Sequence, residues 1–164
     1  MKKDADGEFL TNTGQAFDVF SSYWSYGFDA EAGRDSYMLR PDNAKESAVH
    51  RLHLRPVKFK ATDKGTSSQK CWDEWEFVAD VPSRETGKDR VPTSNEWVIY
   101  CVDENRDACM IAYLPEHMDP HKVCEDMSVM KRFIGMANDW FKSKSSEPME
   151  VSELPLVFDD KWLR

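Results

Sequence analysis

Two apolar runs, Trp97-Val98-Ile99-Tyr100-Cys101-Val102 and Ala108-Cys109-Met110-Ile111-Ala112-Tyr113-Leu114, flank five polar residues, Asp103-Glu104-Asn105-Arg106-Asp107. Runs this long, rich in aliphatic and aromatic side chains and joined by so short a polar loop, predict a hairpin of interior strands. A buried hairpin needs a covering layer. From Phe17 to Ala30, Phe17, Phe20, Tyr23, Trp24 and Phe28 recur in steps of three and four, the stripe of an amphipathic helix that ends at Gly27 or Gly33. Ser47–Val57 alternates as Val49-His50-Arg51-Leu52-His53-Leu54 and predicts a further strand, on which His50 and His53, three apart, face opposite sides.

The rest of the chain is less regular. Lys60–Gln69 is small, polar and glycine-containing, a loop. Cys71–Val81 predicts another strand, and Pro82–Asn95 a polar connection. Pro115 and Pro120 break any helix between them. Val123, Met127, Met130, Ile134, Ala137 and Phe141 then follow helical steps, predicting a helix capped by Asp126 or Ser128 and ending near Lys142, with Met127, Met130 and Met136 filling the core. The tail from Ser143 to Arg164 either folds back as a short strand or stays mobile. This order of elements predicts an α+β fold, a small antiparallel sheet with helices covering one face. At 164 residues and 40% hydrophobic, the chain is expected to be a single domain, 1–164.

Thirty acidic against 22 basic residues give a net charge of −8, which disfavours an indiscriminate grip on nucleic acid. The imbalance is uneven. Gly33–Ala61 carries seven basic and three acidic residues, a balance of +4, whereas Thr62–Asp107 carries six and eleven, a balance of −5. The basic stretch permits phosphate contacts by Arg and Lys, and reads equally as solvated surface. Cys71, Cys101, Cys109 and Cys124 form no C-x-x-C pair, so reduced thiols are expected. No apolar run approaches membrane-spanning length and the N-terminus lacks the apolar stretch of a signal peptide, so a cytoplasmic protein is expected.

Several short motifs recur together: Gly33-Arg34-Asp35-Ser36-Tyr37, Val49-His50-Arg51-Leu52-His53-Leu54, Trp97-Val98-Ile99-Tyr100-Cys101, Met110-Ile111-Ala112-Tyr113-Leu114, Pro120-His121-Lys122, and Met130-Lys131-Arg132-Phe133-Ile134-Gly135-Met136-Ala137. In that order they resemble the YafO family of bacterial toxins, over roughly residues 17–141. The segment between Val57 and Glu96 looks longer than the family's, and the C-terminal extension, 143–164, has no counterpart in it. The resemblance implies a type II toxin with a RelE-like fold that cleaves mRNA on the translating ribosome, needs neither metal nor other cofactor, and has a cognate antitoxin as partner.

Metal-free RNA cleavage requires a 2′-hydroxyl to be deprotonated, a crowded phosphate to be stabilised and a 5′-oxygen to be protonated, work suited to His and cationic side chains. The candidate catalytic residues are His53, His121, Arg34 and Lys122, with Arg51, Arg55, Lys131 and Arg132 as candidate RNA contacts. Each has a structural alternative: His53 as a packed strand residue, His121-Lys122 as a surface turn, Arg34-Asp35 as a loop ion pair, Lys131 and Arg132 as solvated helix charges. Tyr100 reads as a core residue with a satisfied hydroxyl. His117 and His121, four apart, would suit zinc only on a regular helix, which Pro120 opposes. A rival function is an acidic inhibitor or antidote protein without catalytic activity, whose negative charge complements a basic target.

Overall fold

The computed structural model describes residues 2–77 and 91–158, with side chains from Thr13 onward. The predicted hairpin forms as β3 (Trp97–Val102) and β4 (Ala108–Leu114), and every residue of β3 is buried. β2 (Val49–Leu54) pairs antiparallel with β3, and β1 (Ala32–Tyr37) pairs antiparallel with β2. The four strands therefore lie side by side in chain order, β1-β2-β3-β4. Arg34 and Asp35 lie on an edge strand, not in a loop. β1 is hard to see in the sequence because its polar Arg34-Asp35-Ser36 gives no apolar alternation.

Helices pack on both faces, not on one. On the first face Leu52, Leu54, Val98, Tyr100 and Val102 meet Ala16, Phe20 and Tyr23 of α1 (Lys2–Tyr26), which ends at Gly27 with φ 71°. On the second, Val49, Trp97, Ile99, Cys101 and Leu114 meet Met130, Phe133, Ile134, Ala137 and Phe141 of α5 (Met127–Lys144). The arrangement is α+β. Asp35, on the α1 face, accepts from the Tyr23 hydroxyl at 2.7 Å and the Tyr100 hydroxyl at 2.5 Å. Burial and this carboxylate hold the Tyr100 pKa well above its ordinary value.

Cys71–Val81 departs from its expected strand. Its described part lies in helix α3 (Gln69–Trp75), started by Ser68, whose hydroxyl accepts from the Cys71 N–H at 3.2 Å. Trp72 and Trp75, three apart, fall on one helical face, and their indole N–H groups donate to the carbonyls of Thr93 (3.1 Å) and Ala32 (2.8 Å). Residues 78–81 of that expected strand, and 82–90 of the polar connection, lie outside the described residues.

Pro120 begins a helix instead of breaking one, because a first-turn proline forfeits no helical hydrogen bond. The result is α4 (Pro120–Glu125), separated from α5 by Asp126, whose carboxylate accepts from the Ser128 N–H at 2.8 Å. The helical steps expected from Val123 to Phe141 fall in two helices, and Asp126, expected as a cap, is the N-cap of the second. Within α5 Met130 is buried, but Met127 (43% exposed) and Met136 (51%) are not core. The tail folds back. Pro148 bridges to Asp103, Leu154–Leu156 forms a 3₁₀ turn, and Met149, Leu154 and Val157 complete the core beneath α1. A short helix, α2 (Asp42–Glu46), buries Ala44.

Candidate functional site

Trp97 opens β3 on the α5 face and is fully buried, its indole N–H donating to the Ser94 carbonyl at 2.9 Å. Three polar side chains gather on its ring. The Arg51 guanidinium lies 4.7 Å from the ring centroid, the His53 ring 5.3 Å away and the His121 ring 4.6 Å away at 72° between planes. Strand alternation puts Arg51 and His53 of β2 on this face, and His50 on the other with Asp35 and Tyr100. His121, exposed at the start of α4, approaches from above the sheet.

Arg34 reaches the same region through an irregularity. Ala32 pairs with Leu54 but Asp35 with Leu52, so Gly33 and Arg34 lie in a bulge, a device that re-aims side chains. There the Arg34 N–H leaves the ladder and donates to the Pro92 carbonyl at 2.9 Å. Gly33 is required at this approach, since a Cβ would stand 2.3 Å from the Pro92 oxygen. The charge of Arg34 acts on both Arg51 and His53.

His53 is 5% exposed, and burial pulls its pKa down to about 4, helped by the positive charges of Arg51, Arg34 and His121. At neutral pH the ring is uncharged. Its Nδ1 lies 2.9 Å from the Ser94 N–H and 2.8 Å from the Ser94 carbonyl oxygen, so the Ser94 backbone fixes the ring in either tautomer. Arg51 is steadied by a 3.2 Å bond from its Nε to the Ser36 hydroxyl. Burial and Arg34 lower its pKa, yet a guanidinium stays charged at neutral pH. Beside it, burial pushes the Cys124 thiol up to about 11. Two arginines, a neutral buried imidazole and an exposed imidazole thus converge, a set able to hold an anion and move a proton next to it.

The other expected residues lie elsewhere or are otherwise engaged. Lys122 pairs with Asp119 at 3.5 Å, its side chain 82% exposed. Arg55 bonds Asp73 of α3 at 2.5 Å. Lys131 and Arg132 are exposed on α5. Asp35, beside Arg34 in β1, is engaged by the Tyr23 and Tyr100 hydroxyls. His117 sits in a 3₁₀ turn, Glu116–Met118, cut off from His121 by Asp119 in a left-handed conformation, so the two histidines share no helical face. No group of three or more His, Cys, Asp or Glu able to hold a metal occurs among the described residues. Trp97, Ser94 and Cys124 were not foreseen as site residues; Trp97 reads in sequence as the head of a core strand, which it also is.

The family model for toxin YafO of type II toxin–antitoxin systems matches residues 22–143, a span that holds all of Arg34, Arg51, His53, Trp97 and His121. The chain belongs to the YafO toxin family. Membership gives it the role of toxin in a type II pair and implies a cognate antitoxin as partner. The YafO match ends at 143, before the tail segment that supplies Met149, Leu154 and Val157 to the core. No curated protein and no solved structure gives a match. Among the described residues no helix is long and apolar enough to cross a membrane.

Proposed function

We propose that this YafO-family toxin is a RelE-like, ribosome-dependent endoribonuclease that cuts mRNA by metal-free acid–base chemistry. The observation that carries the reading is the convergence of Arg51, His53 and His121 on Trp97, with the charge of Arg34 acting on Arg51 and His53. In this reading the scissile phosphate sits against the Arg51 guanidinium, with Arg34 adding charge. The 2′-oxygen attacks its own phosphate, the bond to the 5′-oxygen breaks, and the two arginines stabilise the negative charge that builds on the phosphoryl oxygens. His121, exposed and held by its ring contact, exchanges the proton with the reacting oxygens. His53 is neutral at working pH and, held by the Ser94 backbone, serves as a fixed hydrogen-bonding group; Lys122 contributes positive charge at the rim.

The net charge of −8 argues that free RNA is held weakly, so the ribosome supplies orientation and much of the binding. The test compares purified toxin on naked mRNA and on the same mRNA in programmed ribosomes, with and without EDTA for the naked RNA. Cutting confined to ribosomal mRNA supports the proposal. Efficient EDTA-sensitive cutting of naked RNA contradicts it. Soluble expression in a bacterial cell with growth and protein synthesis unchanged favours the rival reading, an acidic inhibitor or antidote protein.

A further inference from the structure

The cysteines hold chemistry that the arginine–histidine cluster does not use. Cys101 of β3 and Cys109 of β4 are direct cross-strand partners, both on the α5 face. Opposed residues of an antiparallel pair keep their Cβ atoms ~4.5–5.5 Å apart, and a disulfide needs ~3.5–4.5 Å, so bridging this pair asks for roughly an ångström of movement. The Cys109 thiol makes one weak bond of its own, donating to the Met110 carbonyl at 3.7 Å. The neighbouring Cys101 and the positive charge of Lys144 lower the Cys109 thiol, while the neighbouring Cys109 and burial push Cys101 up. Access is equally asymmetric. Cys101 is fully buried, whereas Cys109 is half-buried and lines an open apolar groove of about 870 Å³ between α1, β4 and Trp140. Burial raises the thiols of Cys71 and Cys124 instead, so neither is primed in the same way.

We propose that Cys109 and Cys101 are a peroxide-responsive dithiol, with Cys109 as the attacking thiolate and Cys101 as the resolving thiol. The Cys109 thiolate attacks one oxygen of hydrogen peroxide, the O–O bond breaks and hydroxide leaves, giving a sulfenic acid. The Cys101 sulfur then attacks the Cys109 sulfur. The S–S bond forms, the S–O bond breaks, and the oxygen departs as water with the Cys101 proton. Both sulfurs are oxidised and the peroxide is reduced to water. The product ties edge strand β4 to the fully buried β3.

The test treats the full chain with hydrogen peroxide at neutral pH, alkylates the remaining thiols and maps the peptides by mass spectrometry. The expected product joins the Cys101 and Cys109 peptides with the loss of two hydrogen atoms, is reversed by dithiothreitol, and forms more slowly below pH 7. In Cys101→Ala, dimedone should trap a sulfenic acid on Cys109. The wild-type map decides the matter even where that variant folds poorly. Oxidation at Cys71 or Cys124 ahead of Cys109, over-oxidation of Cys109 with Cys101 left as a free thiol, or no oxidation at either position overturns the proposal.

Discussion

His121 stands edge-on to Trp97, ring centroids 4.6 Å apart, so an exposed imidazole is located by an indole that is itself buried and bonded to Ser94. A group meant for proton transfer gains from such a fixed support, since a misplaced acid or base loses most of its effect.

His121→Ala is therefore expected to lower cleavage on programmed ribosomes by ~10²-fold or more, the usual contribution of positioned proton transfer. His117→Ala, in its exposed 3₁₀ turn, should change cleavage little. Primer extension of cleaved mRNA reads both, after circular dichroism has shown each variant folded. Full activity in His121→Ala, or a larger loss in His117→Ala, refutes the assignment.

Arg51→Lys separates charge from shape. Lysine keeps the positive charge but loses the flat face stacked on Trp97 and the Nε bond to Ser36. A fall in cleavage of about tenfold or more is expected, with a deeper loss in Arg51→Ala. Equal activity of wild type and Arg51→Lys would show that only charge is needed there.

His53 sets a pH dependence of stability. Its folded pKa, about 4, lies below the ordinary 6.5, so the unfolded chain binds the proton more tightly. The stability of the neutral buried ring is full above pH 6.5 and is lost as pH falls from there towards 4. The loss amounts to up to about 3 kcal/mol, at roughly 1.4 kcal/mol per pH unit. Urea unfolding of wild type and His53→Gln at pH 7 and at pH 4.5 checks this. The wild type should lose more stability between the two than the variant does, and parallel losses would count against it.

Gly33→Ala is expected to destabilise the fold by about 2 kcal/mol or more, because its Cβ would press on the Pro92 carbonyl and the Trp72 ring, 2.8 Å away. The urea midpoint should fall with an unchanged slope, and cleavage should fall with it, since the bulge that aims Arg34 has to shift. An unaltered midpoint would mean that the approach of Pro92 is loose.

What the sequence made legible follows from how each element is buried. β3 is covered on both faces, so its unbroken apolar run announces it, and β2 alternates because its two faces meet different layers. α3 was misread because seven residues with Trp72 and Trp75 among acidic neighbours fit an alternating and a helical pattern alike; Ser68, the cap, was the discriminating signal. In the site, Arg34, His53 and His121 come from three elements far apart in the chain. Only their place in family-like motifs connected them beforehand. Lys122 was grouped with His121 as its chain neighbour, but successive residues on a helix point about 100° apart, and Lys122 turns to Asp119.

The strands pair in chain order, while the side chains that seal the α1 face, Met149, Leu154 and Val157, follow both the last strand and α5 in the chain. The meander and its arginine–histidine cluster are therefore built from residues that precede the tail, whereas the α1 layer is closed only when the tail folds back onto it. Closure of the α1 layer thus hangs on three side chains of the tail that lie outside the span matched by the family model.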